Sequence, residues 1–260
     1  FLFMSYRAPH SFEGPIRDTT LYADRGWPEI ERVHAAKITL LDKQVGRLLE
    51  KLKEIGEIDN TLILFTSDNG PHYQEYGGHD LEFFDSNGKF RGGKRDLYEG
   101  GVRVPLIAYW KDKVEPGSVT NHISGFQDIM PTFSDIINRV ESELVDGISF
   151  LPTLLSQDQI NHDYLNWEFQ LSGWFQTIPG GGFRQSVRMG KWKAVRYNID
   201  SNIELYDLLG DTSEITNIAE SNPDIIDRVS RIFNNDRSET IGFPYGGVNQ
   251  DYRSMDRFRD

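Results

Sequence analysis

The 260-residue chain carries a formal charge of −12, with 38% hydrophobic and 12% aromatic residues. That is enough apolar mass for a sizeable core, and the acidity excludes a general nucleic-acid binder, which needs clustered Lys and Arg on one face. The absence of cysteine excludes disulfides and thiolate metal sites, and no apolar run approaches the ~20 residues of a membrane span.

In chain order, Phe1-Leu2-Phe3-Met4-Ser5 reads as the middle of a buried strand without a polar lead-in, as though the chain began in mid-fold. After Pro28, the residues Val33, Leu41, Val45, Leu48 and Leu52 recur mostly three or four apart among charges, which predicts an amphipathic helix over 29–55 stopped by Gly56. Leu62 to Phe65 is a continuous apolar run of the kind buried on both faces of a parallel sheet. A second such run spans Val104 to Trp110, and Ile129, Phe133, Ile136, Ile137 and Val140 predict a shorter helix over 127–140. Beyond Tyr164 the texture changes to short alternating segments, "SVRMGKWKAVRY" and "IELYDLL", which predict a small antiparallel sheet. A helix over 222–234 should cover it with Ile225, Ile226, Val229 and Ile232, and the tail from Gly246 is polar.

Ligands of open α/β sheets bind outside the carboxyl ends of strands, where Asp68 and Asn69 follow the strand ending at Ser67. Two oxygen donors there could hold a hard cation, and Gly70 allows a sharp turn; an Asx turn explains the same tetrapeptide. Lys94, on the Gly-rich stretch "RGGKRDLYEGG", reads by itself as a solvated loop lysine.

The run "SDNGPH…GGHD…RGGKRDLYEGGVRVPLIAYW", the earlier "SYRAPH", and the later "FQDIMPTFSDI", "DGISFLPTLL", "MGKWKAVRY" and "LYDLLGDTSEITNIAESNP" occur in the order seen in type I sulfatases. From about residue 1 to 235 the chain resembles the C-terminal portion of an arylsulfatase-like enzyme of the alkaline phosphatase superfamily. The resemblance implies an α/β fold in which a partial alkaline-phosphatase-like sheet flanked by helices is followed by a small antiparallel sheet with a C-terminal helix. Residues 1–160 would be the C-terminal part of the catalytic α/β domain, and residues 161–260 the smaller subdomain. Sulfate ester hydrolysis is the implied activity. Asp68 and Asn69 would be calcium ligands and Lys94 the lysine that holds the sulfate. His10 would stand near the leaving-group oxygen, with His72 and His79 on the substrate side of the pocket. The aromatic and Gly-rich stretch from Trp174 to Phe183 could form a flap near that pocket.

One departure matters. The resemblance implies a formylglycine made within Cys/Ser-x-Pro-x-Arg, and no residue of this chain fits that motif, so the group is expected only in a preceding segment and the chain alone is expected to be inactive. Calcium is then expected to be weakly held or absent. The expected partner is a sulfated small molecule or carbohydrate, with self-association through an uncovered sheet and no nucleic acid or membrane. A periplasmic or secreted parent is compatible with the resemblance. Two alternatives stand beside it: a phosphodiester or phosphonate hydrolase of the same superfamily, and a non-catalytic module that binds sulfated glycan. Asn69 weighs against a two-zinc phosphatase, which would favour imidazole at that position.

Overall fold

The computed structural model describes residues 1–10, 20–72, 79–139, 145–171, 182–238 and 245. The 26-residue helix α1 (Glu29–Glu54) opens behind Pro28 and ends before Gly56, whose φ of 76° is a conformation glycine adopts without strain. Its turn leads to β1 (Ile63–Thr66), and a long loop then reaches the single turn α2 (Glu99–Val102) and β2 (Leu106–Tyr109). The helices α3 (Ile129–Ile136) and α4 (Leu151–Leu154) complete the first part. The second part is a meander of β3 (Leu165–Leu171), β4 (Gly182–Met189), β5 (Trp192–Arg196) and β6 (Glu204–Asp207), covered by α5 (Pro223–Asn235).

Three expectations need correction. Residues 1–6 form no strand, and Phe1, Leu2 and Phe3 are largely exposed, with Phe1 set edge-on against Phe133 at 5.5 Å. The run at Leu62 to Phe65 does form a strand, but β1 pairs antiparallel with β2, Ile63 opposite Tyr109 and Thr66 opposite Leu106. Neither strand is buried on both faces: Phe65, Leu106 and Tyr109 are partly exposed and Ile107 is 61% exposed. Apolar composition reports affinity for a sheet and not the direction of the neighbouring strand. The helix expected over 127–140 is shorter, because Phe126–Asp128 form a 3₁₀ turn ahead of α3 and the regular helix ends at Ile136. The proposed flap from Trp174 lies, except for Gly182 and Phe183, outside the described residues.

The small sheet is as expected from its turns and alternation, and its two faces differ in kind. Val187, Met189, Ala194 and Leu205 face α5 and form one core with Val229, Ile232 and Phe233. On the opposite face Tyr98, from the loop before α2, packs against Val195, Tyr206 and Leu208. That face is otherwise polar: Arg184, Ser186 and Lys193 point to it and are fully buried. The sheet therefore clamps α5 on one side and the loop over residues 91–101 on the other.

Phe233 is 3% exposed and closes the α5 core. Phe233→Ala should cost about 3–5 kcal/mol, as aromatic deletions in closed cores do, read as a shift in the urea midpoint.

Candidate active site

Asp68 and Asn69 come two residues after β1 ends. Ser67 Oγ donates to the Asn69 carbonyl at 3.0 Å, and Asn69 Nδ2 donates to the Gly70 carbonyl at 2.9 Å. With its amide nitrogen engaged, Asn69 keeps Oδ1 as a spare acceptor. The exposed Asp68 carboxylate makes no hydrogen bond or ion pair among the described residues.

The position of this turn is set by backbone contact with α2. Gly70 N–H donates to the Gly101 carbonyl at 3.0 Å, and a Cβ on Gly70 would fall 1.8 Å from the Gly100 oxygen. Gly100 and Gly101 are as tightly approached, since a Cβ there would lie 2.3 Å from Gly92 O and 2.2 Å from Asp96 O respectively. Only glycine permits backbones to come this close. Lys94 belongs to the same unit: its N–H donates to the Pro71 carbonyl at 2.6 Å, and its half-buried side chain makes no hydrogen bond or ion pair among the described residues.

The His72 ring lies 6.3 Å from that of the exposed His10, centroid to centroid. The buried Lys37 of α1 donates to the His10 carbonyl at 2.8 Å, tying that residue to the helix. Backbone contacts thus tie the Asp68–Asn69 turn and Lys94 into one unit, and the His10 ring stands beside that of His72. His79 is placed differently. It is buried against α1, stacked on His34 at 3.6 Å with its Nδ1 3.4 Å from Glu31 Oε2, while the other Glu31 oxygen accepts from Asp80 N–H at 2.7 Å. Burial first, and then the nearby His79 and Lys37, push the His34 imidazole down to about 4.

The loop carrying Lys94 is held from below by the small sheet. Arg184 Nη1 donates to Arg95 O at 3.1 Å and to Asp96 Oδ1 at 3.3 Å, and Tyr197 OH donates to the same Asp96 oxygen at 3.1 Å. Arg91 lies 3.9 Å from the centre of the Tyr98 ring and donates to Tyr206 OH and to the Glu214 carbonyl. Lys193 reaches Glu99 Oε1 at 3.2 Å, and the Glu99 N–H donates to Glu214 Oε2 at 2.8 Å. Sequence reading missed Glu31, Lys37 and Glu214 altogether and gave Lys193 no partner, because a charged residue on a helix, an alternating strand or a turn reads as solvated.

Chemically the group offers one ammonium, two spare oxygen ligands and two imidazoles. Two oxygens fit part of a hard-cation shell; among the described residues no cluster of three or more His, Asp or Glu is arranged to hold a metal by itself.

The family model described as Sulfatase matches residues 1–139, and the one described as N-sulphoglucosamine sulphohydrolase, C-terminal, matches residues 88–236. The uncharacterized sulfatase YdeN of Escherichia coli (strain K12) is 30% identical over 256 residues, covering 86% of this chain and 44% of that protein. The solved structure of BT4656 in complex with its substrate D-glucosamine-2-N,6-O-disulfate is 25% identical, with a TM-score of 0.63 over 79% of this chain and 40% of that one. Ps i-CgsB in complex with k-i-k-neocarrahexaose, at 22% identity and a TM-score of 0.75, covers 97% of this chain and 52% of that one, and bears on the fold alone. The chain belongs to the sulfatase family and has its alkaline-phosphatase-like fold. It spans about half, or less, of the length of these relatives.

Three expectations follow for stability. Gly70→Ala should lower the melting temperature by the equivalent of roughly 1–3 kcal/mol, since backbone must move to admit the methyl. Gly46→Ala, on α1 with open space around it, should raise it by up to about 1 kcal/mol through helix propensity. The lowered His34 pKa means the fold favours the neutral ring. That contribution is present above about pH 6.5 and is lost as pH falls through about 4. Melting temperatures recorded between those limits should decline, and less so in His34→Gln.

Proposed function

We propose that the chain is the C-terminal portion of a sulfuric ester hydrolase whose substrates are sulfated carbohydrates or aryl sulfates. The observation that carries this reading is the Lys94 N–H to Pro71 O hydrogen bond. It ties the backbone of Lys94 to that of the Asp68–Asn69 turn, and the Lys94 ammonium and the Asp68 carboxylate have no partner among the described residues. In this reading Lys94 grips the sulfate oxygens, a role suited to a flexible ammonium on a fixed loop. Asp68 and Asn69 Oδ1 would hold calcium, which when bound supplies polarisation of a sulfate oxygen. These two donors are a fraction of the ~6 to 8 oxygens calcium takes, so other ligands would come from outside the described residues.

His10, exposed and facing His72, would donate a proton towards the leaving-group oxygen, with His72 lining the substrate side. His79 would meet substrate only if its stack on His34 opened; in the geometry at hand it holds the start of loop 79–90 against α1. The attacking group would come from a preceding segment, since no residue here fits Cys/Ser-x-Pro-x-Arg. The sulfated amino sugar bound by BT4656 supports a carbohydrate substrate.

The 260-residue chain should show no turnover of p-nitrophenyl sulfate, with or without calcium, while a chain extended to carry the upstream motif should hydrolyse it. In that longer chain Lys94→Ala should lower kcat/KM by about 10²–10³, the scale for losing one donor to a developing anion. Asp68→Ala should lower both activity and calcium content. Turnover by the 260 residues alone would overturn the reading. Preference for p-nitrophenyl phenylphosphonate would favour the phosphonate alternative, and sulfated-glycan binding without turnover the binding module.

A further inference from the structure

A cluster of fully buried charges lies away from the candidate site, between α2 and the small sheet. Lys193 on β5 is fully buried, and its ammonium contacts Glu99 Oε1 at 3.2 Å. Glu99 Oε2 is 3.6 Å from Arg188 of β4 and 3.5 Å from Arg103. Glu214, in the turn after β6, is also fully buried. Its Oε2 accepts the backbone N–H that opens α2, and its buried Oε1 has no hydrogen-bond partner among the described residues. An unsatisfied carboxylate oxygen beside a desolvated ammonium is costly, and a chain that only needed packing there would do as well with apolar residues.

What the cluster controls is α2. Glu99 is followed directly by Gly100 and Gly101. Gly101 O receives the Gly70 N–H, and Gly100 N–H donates to Arg91 O at 2.7 Å, closing the loop that carries Lys94. A displacement of Glu99 therefore moves both the Asp68–Asn69 turn and Lys94, because the glycine contacts leave no slack.

We propose that Glu99, Lys193 and Glu214 are a positioning centre, through which the C-terminal sheet sets the placement of Lys94 relative to Asp68 and Asn69. They act through α2 and touch no reacting atom. That Lys94, Asp68 and Asn69 form a sulfate site rests on the proposed function; the mechanical coupling of the sheet to Gly70 and Lys94 does not.

The protonation of Glu214 gives the centre a pH dependence. Burial pushes its carboxyl up to about 7, while Lys193, the Glu99 N–H and Arg91 act to lower it and the Glu99 charge to raise it. The charged groups facing it are thus Lys193 of β5, Glu99 of α2, Arg91 of the loop and, more weakly, Arg188 of β4. Because the folded value lies above 4.5, the stabilising effect of the neutral form is complete below that pH and is lost as pH rises through about 7.

Residue-resolved amide exchange on the 260-residue chain tests this. In Lys193→Met, the amides of Gly70 and Lys94 should exchange about tenfold faster or more, while those of α1 and α5 stay within roughly twofold of wild type. In the wild type, Gly70 should lose protection between pH 6 and 8 beyond the intrinsic chemical trend. Glu214→Gln keeps an oxygen for the Glu99 N–H and should remove that extra loss. Unchanged Gly70 exchange in folded Lys193→Met would overturn the proposal, as would acceleration shared equally by α5, which marks plain destabilisation. If Lys193→Met does not fold, the Glu214→Gln comparison decides: identical pH profiles in wild type and variant would overturn it. Altered exchange alongside a longer chain inactive towards sulfate esters would sink only the functional reading.

Discussion

The contact on which the rest depends is that of the Lys193 ammonium with Glu99. A lysine with no exposed side chain is disfavoured as a cation by desolvation, and burial does lower its pKa, while Glu99 and Glu214 draw it back up. Removing one partner of a buried pair typically costs about 3–5 kcal/mol, because the remaining charge has nowhere to go. Against a total stability of about 5–15 kcal/mol, that is enough to dictate where α2 sits. The constraint is directional, as apolar packing is not. Glu99 must present one oxygen to Lys193 while its own N–H meets Glu214, and only one placement of the α2 turn satisfies both.

The division of labour between the faces of the small sheet follows. Towards α5, Val187, Ala194, Leu205, Val229 and Phe233 supply apolar burial, which favours association in any well-packed arrangement. Towards the loop, Arg184, Lys193, Glu204 and the tyrosines at 98, 197 and 206 supply hydrogen bonds that hold only in register. Glu204 Oε2 accepts from both Tyr98 and Tyr206, and burial with that acceptor keeps both phenols protonated far above neutral pH. The first face makes the sheet stable, and the second gives a neighbouring loop a defined position.

The same sheet shows what a sequence does and does not disclose. α1 and α5 were legible because their apolar residues repeat with the helical period and Gly56 marks an end. β4 to β6 were legible from alternation and turns. Alternation, however, assigns the polar residues of "SVRMGKWKAVRY" to solvent, and the buried state of Ser186 and Lys193, like that of Arg184 just before them, depends on a loop about ninety residues earlier. Phe1 to Ser5 failed in the other direction: an apolar run identifies a strand only when a partner strand exists beside it, and none pairs with it among the described residues. The membership of Asp68, Asn69 and Lys94 in one group was legible only through the order of several motifs, since their spacing of some 25 residues says nothing about proximity.

That proximity does not come from the strands that precede the site. Among the described residues β1 and β2 make a two-stranded ribbon four residues long, an arrangement that is marginal by itself in water. A ribbon so short, with Phe65 and Ile107 partly open to solvent, cannot by itself fix the following turn. The glycine contacts can, because Gly70 abuts the Gly100 carbonyl with no room for a methyl group and α2 is in turn fastened to the sheet. Of the two elements flanking Asp68 and Asn69, the strand delivers the chain to the site and the glycine turn fixes it there. The precision of the site is therefore a property of residues far along the chain, around Lys193 and Glu214, more than of the strand that ends beside it.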